Sequence, residues 1–123
     1  MPVSPVPARI VCRLVDAFNA RDLDEMLVCL AADVDFHPLR LSGLHACYRG
    51  HDGVPDWFAR LEHLRHDYRM VLGEMREVGD GRVFAGVSLS QGPESNVGPF
   101  SAMHRINGGL IVAVHIESLG LIP

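Results

Sequence analysis

The sequence predicts an α+β domain in which helices near the N-terminus pack on a mostly antiparallel sheet. Three observations predict it. Apolar residues recur at helical spacing through the first third of the chain, as in Ile10, Val11, Leu14, Val15 and Phe18. After residue 67 the period changes to the strand type. Two glycine turns, Gly79-Asp80-Gly81 and Asn107-Gly108-Gly109, then punctuate the C-terminal half as hairpin signals.

Residues 1–7 contain three prolines and read as a loose lead-in, with one domain over 8–123. The spacing predicts a first helix over 8–20. Asp22-Leu23-Asp24-Glu25 has the form of a capping box, with Glu25 reaching back to the cap. Leu23, Met26, Leu27 and Leu30 supply the apolar stripe of a second helix. Val34-Asp35-Phe36-His37 alternates like a strand, and Pro38 confines it to an edge or an end. Residues 39–50 read as loop. Pro55 suits the first turn of a third helix with Asp52 near its start, and Trp57, Phe58, Leu61 and Leu64 form its apolar face. Four strands follow: Tyr68–Val78, Arg82–Ser90, Phe100–Ile106 and Leu110–Leu119. Gln91–Pro99 reads as a long loop.

Composition narrows the function classes. The chain has 123 residues, 48% of them hydrophobic, which suits a single domain with a real core. Net charge is −4 and the 11 basic residues are scattered, so a nucleic-acid footprint is not expected. Cys12, Cys29 and Cys47 are odd in number and show no CxxC spacing. Cys12 and Cys29 read as reduced core thiols. The N-terminus has neither a cationic head nor an unbroken apolar run, and no segment reaches membrane-spanning length. A soluble cytoplasmic protein is the expectation.

Five motifs, in this order, resemble the nuclear-transport-factor-2-like superfamily and, within it, the SnoaL-like proteins. They are Phe18-Asn19-Ala20-Arg21-Asp22-Leu23, Asp33-Val34-Asp35-Phe36-His37-Pro38, Tyr48-Arg49-Gly50-His51-Asp52-Gly53-Val54, Gly79-Asp80-Gly81-Arg82-Val83 and Asn107-Gly108-Gly109-Leu110-Ile111. The resemblance implies a cone-shaped fold with a pocket between the concave sheet face and the helices, and a homodimer built through the sheet. It implies functions from ketosteroid isomerases, polyketide cyclases and epoxide hydrolases to non-catalytic binding modules. Fold alone does not choose among them.

Laid against the ketosteroid isomerase pattern, the base position falls on His37, the tyrosine position on Leu14 and the acid position near Ala102. Leucine and alanine cannot donate a hydrogen bond, so that family's oxyanion hole is missing. The epoxide hydrolase pattern needs an Asp–Arg–Asp set. The late strands offer His104, Arg105, His115 and Glu117 instead. The SnoaL-like cyclases use acid–base side chains from the strands, and the comparable residues here are His37, His104, His115 and Glu117. Histidine titrates near neutrality and suits such work.

Each candidate has a plainer alternative. His37 either faces the pocket or is an ordinary strand-end histidine. His104 alternates with Ala102 on one strand face, so it lines the pocket if Ala102 does. His115 and Glu117 share one face by period two, and a one-residue register slip decides whether that face is concave. Tyr48 and Trp57 read as pocket wall and core, and Arg69 as a strand-start residue near the pocket or in solvent. His63 and His66 lie three apart on a helix, but no third ligand stands at a familiar spacing, so no metal is expected. His45 and His51 receive no role. Gly50 and Gly53 are not a phosphate loop, and no cofactor is implied.

Two readings therefore stand. One is a pocket protein for a small apolar organic ligand, with cofactor-free acid–base chemistry of cyclase, isomerase or hydratase type if it is an enzyme. Its catalytic candidates are His37 and His104, and Leu14, Tyr48, Trp57, Arg69, Ala102, His115 and Glu117 would contact substrate. The other is a non-catalytic ligand sensor, dimerisation module or adaptor. An enclosed cavity with converging polar groups would favour the first, and a cone plugged by Leu, Met and Phe the second. Apolar residues on both faces of Arg82–Ser90 add to the expectation of a homodimer through the sheet.

Overall fold

A computed structural model describes residues 5–38, 46–64, 68–90 and 96–118. The chain runs α1 (Pro5–Asn19), α2 (Leu23–Cys29), β1 (Leu30–His37), β2 (Tyr48–Arg49), α3 (Gly50–Leu64), β3 (Arg69–Gly79), β4 (Arg82–Ser90), β5 (Asn96–Asn107) and β6 (Leu110–Ser118). Among the described residues, three helices and one six-stranded sheet make it α+β. The sheet order is β2-β1-β6-β5-β4-β3. Every pairing is antiparallel except β1 with β6, which brings the first strand beside the last.

Several boundaries differ from expectation. Helix α1 begins at Pro5, because proline lacks an N–H that the first turn would leave unpaired anyway. Helix α3 begins at Gly50, just ahead of Asp52 where its start is expected, and Pro55 falls inside it. Gly50 holds φ +73, and a Cβ there would meet the Ala32 carbonyl oxygen at 2.8 Å. That close approach packs the helix start onto β1. Strand β5 begins at Asn96, so 96–99 are strand, and only 91–95 of the expected loop fall outside the described residues. The segment read as loop contains β2, which pairs Phe36 with Tyr48.

Both hairpin signals are hairpins. Asp80 and Gly81 hold φ 53 and 72, a two-residue turn with both central residues left-handed, which suits strand twist. Asn107 pairs with Leu110 across the second turn.

Alternation supplies the core. Val83, Ala85, Val87 and Leu89 of β4 point inward with Phe100 and Ala102 of β5. Leu14 and Phe18 of α1 and Val54, Trp57 and Leu61 of α3 form one buried cluster with Val34 and Phe36 of β1 and Ile111 and Val114 of β6. Helix α3 packs on β1 and β2, and α1 on β3. Each buried Val, Leu or Phe side chain contributes about 1.5–3 kcal/mol on leaving water. Phe18 sits 5.9 Å from Trp57 and 6.2 Å from Phe58, the latter edge-on.

The Phe18–Leu23 motif is the joint of this assembly. Asn19 Nδ2 donates to the Met70 carbonyl (2.9 Å), and Met70 N donates back to Asn19 Oδ1 (2.7 Å). Arg21 stands at φ 58. Its guanidinium donates to the Phe18 and Tyr68 carbonyls, pairs with Glu62 of α3 at 2.8 Å and covers the Phe18 ring. Asp22 caps α2 by accepting from Glu25 N at 3.1 Å. The return half of the capping box is not made, because the Glu25 carboxylate pairs with Arg13 of α1, which holds its pKa below the usual range.

Asn19→Ala removes both bonds to Met70 and leaves two strand-start groups unpaired. The expected loss is about 1–3 kcal/mol, read from urea unfolding. Unchanged stability would show that the joint carries no load.

Candidate functional site

Inside the layer between helices and sheet lies a cavity of about 30 Å³. Leu14, Phe18, Met26, Phe36, Trp57, Met70, Ala102 and His104 are among its walls. His104 is 4% exposed and is the buried polar or charged residue among those described. Its Nδ1 lies 3.3 Å from the Val83 carbonyl oxygen. A carbonyl only accepts, so Nδ1 carries the proton and Nε2 is the unprotonated, accepting nitrogen. Burial pushes the imidazole down to about 4, against a weaker upward pull from the Val83 carbonyl. At neutral pH this side chain is an uncharged acceptor.

Trp57 supplies the opposite polarity. Its Nε1 is buried without a hydrogen-bond partner. An unpaired buried donor costs about 1–3 kcal/mol. The cavity is therefore an apolar chamber lined by two residues that carry one acceptor and one unsatisfied donor.

Of the candidates, Leu14, Trp57, Ala102 and His104 line this cavity. His37 does not join His104. Phe36 and Val114 point into the core, so their neighbours His37 and His115 point away from it. The register Met103↔His115 puts His115 and Glu117 on the outer face too. His37 and His104 do not share one pocket, because strand alternation puts them on opposite faces of the sheet. Tyr48 is buried in the core and does not line the cavity, and Arg69 is exposed at the start of β3. His51, left without a role, donates from Nε2 to the Leu30 carbonyl at 2.9 Å and ties α3 to the start of β1. His63 is exposed on α3, and His66 lies outside the described residues.

The outer face carries a second cluster. His37 and His115 stack with ring centroids 4.5 Å apart. His37 Nε2 lies 3.3 Å from Asp35 Oδ2, and the Cys47 thiol donates to Asp35 Oδ1 at 3.3 Å. These bonds hold the Asp35 carboxyl below its usual range, Cys47 first and His37 second. The Cys47 thiol is pushed up by partial burial and by Asp35. Sequence reasoning missed Asp35 and Cys47. The alternation of Asp35 with His37 was visible, but Cys47 fell in a stretch read as loop.

Fold and family agree. Residues 11–114 match the SnoaL-like domain, and the chain belongs to that family. No curated protein matches the sequence. Among solved structures, the fold is shared with a protein from Sinorhizobium meliloti provisionally assigned as a polyketide cyclase (21% identity, 88% of this chain and 93% of that one, TM-score 0.74). A nuclear-transport-factor-2-like protein of unknown function from Burkholderia pseudomallei is similar too (21% identity, 94% and 92% coverage, TM-score 0.75). So is TerC, co-crystallised with polyporic acid (19% identity, 90% and 89% coverage, TM-score 0.75). Among the described residues no helix is long and apolar enough to cross a membrane.

The His104 shift has a sign that can be tested. The unfolded chain protonates this imidazole near 6.5, the folded chain only near 4. Stability is therefore full above about 6.5 and is lost as pH falls from there towards 4. The loss from this residue is about 3 kcal/mol. Urea unfolding from pH 7 to 4 should show this slope in the native chain and a flatter one in His104→Leu. Equal slopes would contradict a buried, neutral His104.

Proposed function

We propose that the chain binds a small, mostly apolar organic molecule inside a cone formed by the helices and the sheet. The observation that carries this reading is His104, a buried neutral acceptor on a wall that also holds the unpaired Trp57 donor. Folded proteins rarely keep an unsatisfied donor in an apolar core. A ligand with one hydroxyl or carbonyl would satisfy it. Leu14, Phe36 and Ala102 would form the apolar wall.

Cofactor-free acid–base chemistry of cyclase, isomerase or hydratase type is the finer form of this reading. An imidazole with a pKa of about 4 is a weak base at neutral pH. It becomes effective where an enolate or similar anion develops beside it, because the anion stabilises the imidazolium. His104 is the catalytic candidate, and His37 is not part of this site.

Cavity size favours a second reading. About 30 Å³ holds a water molecule, whereas ligand pockets span roughly 300–1,000 Å³. A plugged interior suits a non-catalytic module. Occupancy in the first reading needs Met26 and Met70 to swing aside, which their unbranched chains allow.

Trp57 is the only tryptophan, so its fluorescence reports on this cavity. Titration with phenol and with polyporic acid, the compound co-crystallised with TerC, should shift its emission saturably. His104→Leu should weaken the response about tenfold, the loss of one hydrogen bond to a buried acceptor. No response to either probe would favour the module reading.

We also propose a homodimer through the sheet, supported by Val71, Phe84 and Met103 on the outer face of β3–β5. Sedimentation equilibrium at micromolar concentration should give twice the chain mass, and a monomer would refute it.

A further inference from the structure

The outer face of the β2-β1-β6 corner holds a set of groups that the cavity does not use. Asp35 and His37 lie two apart on β1 and therefore project to one side. Cys47 stands one residue before β2, whose register sets Tyr48 beside Phe36 and so brings Cys47 alongside His37. One ligand atom from each of the three lies within 4.8 Å of the other two. The sulfur is 3.3 Å from Asp35 Oδ1 and 3.9 Å from His37 Nε2, and that nitrogen is 3.3 Å from the other oxygen, Asp35 Oδ2.

We propose that Asp35, His37 and Cys47 form a binding site for a divalent cation of the zinc type. Donors of a tetrahedral zinc ion, with bonds of about 2.0–2.3 Å, stand roughly 3.3–3.8 Å from one another. The observed separations fit that spacing with only small adjustment. The donor set is mixed thiolate, imidazole and carboxylate, which suits a borderline-soft ion better than magnesium or calcium. With the thiol deprotonated, the set carries two negative charges and neutralises the ion. Its proton passes to solvent on binding.

The surroundings are ready for such an ion. The three side chains reach the surface, so an ion can enter: Cys47 is exposed, and His37 and Asp35 are 29% and 39% exposed. His37 is already fixed in orientation by its stack on His115, whose own Nε2 faces Glu117 at 3.6 Å. Arg49 Nη2, 3.7 Å from Asp35, is the competing cation, and at 74% exposure it is free to turn into solvent. Three protein donors leave a fourth position for water or another ligand.

Cobalt(II) tests this, because tetrahedral cobalt is coloured and a cobalt–thiolate bond adds a near-ultraviolet charge-transfer band. The reduced full chain titrated with cobalt should show both features, saturating at one ion per chain, and zinc should displace them. Cys47→Ser should lose the charge-transfer band, and His37→Gln should weaken affinity at least about tenfold. Cys12→Ser and His104→Leu should leave both features unchanged, which separates this site from the cavity. Absence of tetrahedral bands in the native chain, or a charge-transfer band that survives Cys47→Ser, would overturn the proposal.

Discussion

The link between the end of α1 and the start of β3 is the constraint on which the rest of the structure depends. Asn19 imitates a neighbouring strand, offering both an acceptor and a donor to Met70. Arg21 does the same kind of work for Tyr68 while reaching Glu62 on the third helix. Together they fix how far the helices stand from the sheet. The cavity walls Phe18 and Met70 lie on the two sides of this joint. Its distance sets whether the interior is a void, a chamber or solid core. Arg21 accepts a left-handed backbone to do this, which asparagine or glycine would adopt more cheaply.

The two faces of the sheet carry different chemistry. Inside, apolar surroundings strip water from His104 and keep it neutral. Outside, carboxylates, imidazoles and a thiol meet water and one another. The same residue type thus serves opposite ends. A histidine inside is tuned to accept one hydrogen bond, whereas His37 and His115 outside remain open to solvent and to their carboxylate neighbours.

Much of the fold was legible because local rules and tertiary packing agreed. The period change after residue 67 and the two glycine turns gave the four-strand tail. Asp22 announced its helix. The start of α3 was legible near Asp52, but its first residue, Gly50, is set by contact with Ala32, a residue of another element. Strand β2 was missed because two residues leave no periodicity. The candidate site was half legible. Alternation of Ala102 with His104 was enough to place them together, but the side taken by His37 and His115 depended on pairing register. No single-strand pattern contains that register. Cys47 was invisible for the same reason, since only the β1–β2 pairing brings it to Asp35 and His37.

The parallel pairing of β1 with β6 also has a kinetic meaning. Leu30 finds its partner in Ile111, across most of the chain. Closing so long a loop costs entropy before any contact repays it, and topologies of this kind fold slowly. On a ribosome, β1 would emerge long before the strand that covers its edge. Until then Val34 and Phe36, fully or nearly buried in the finished protein, have only the helices and the two-residue β2 for shelter. The order of synthesis thus makes the last strand the one that seals the sheet.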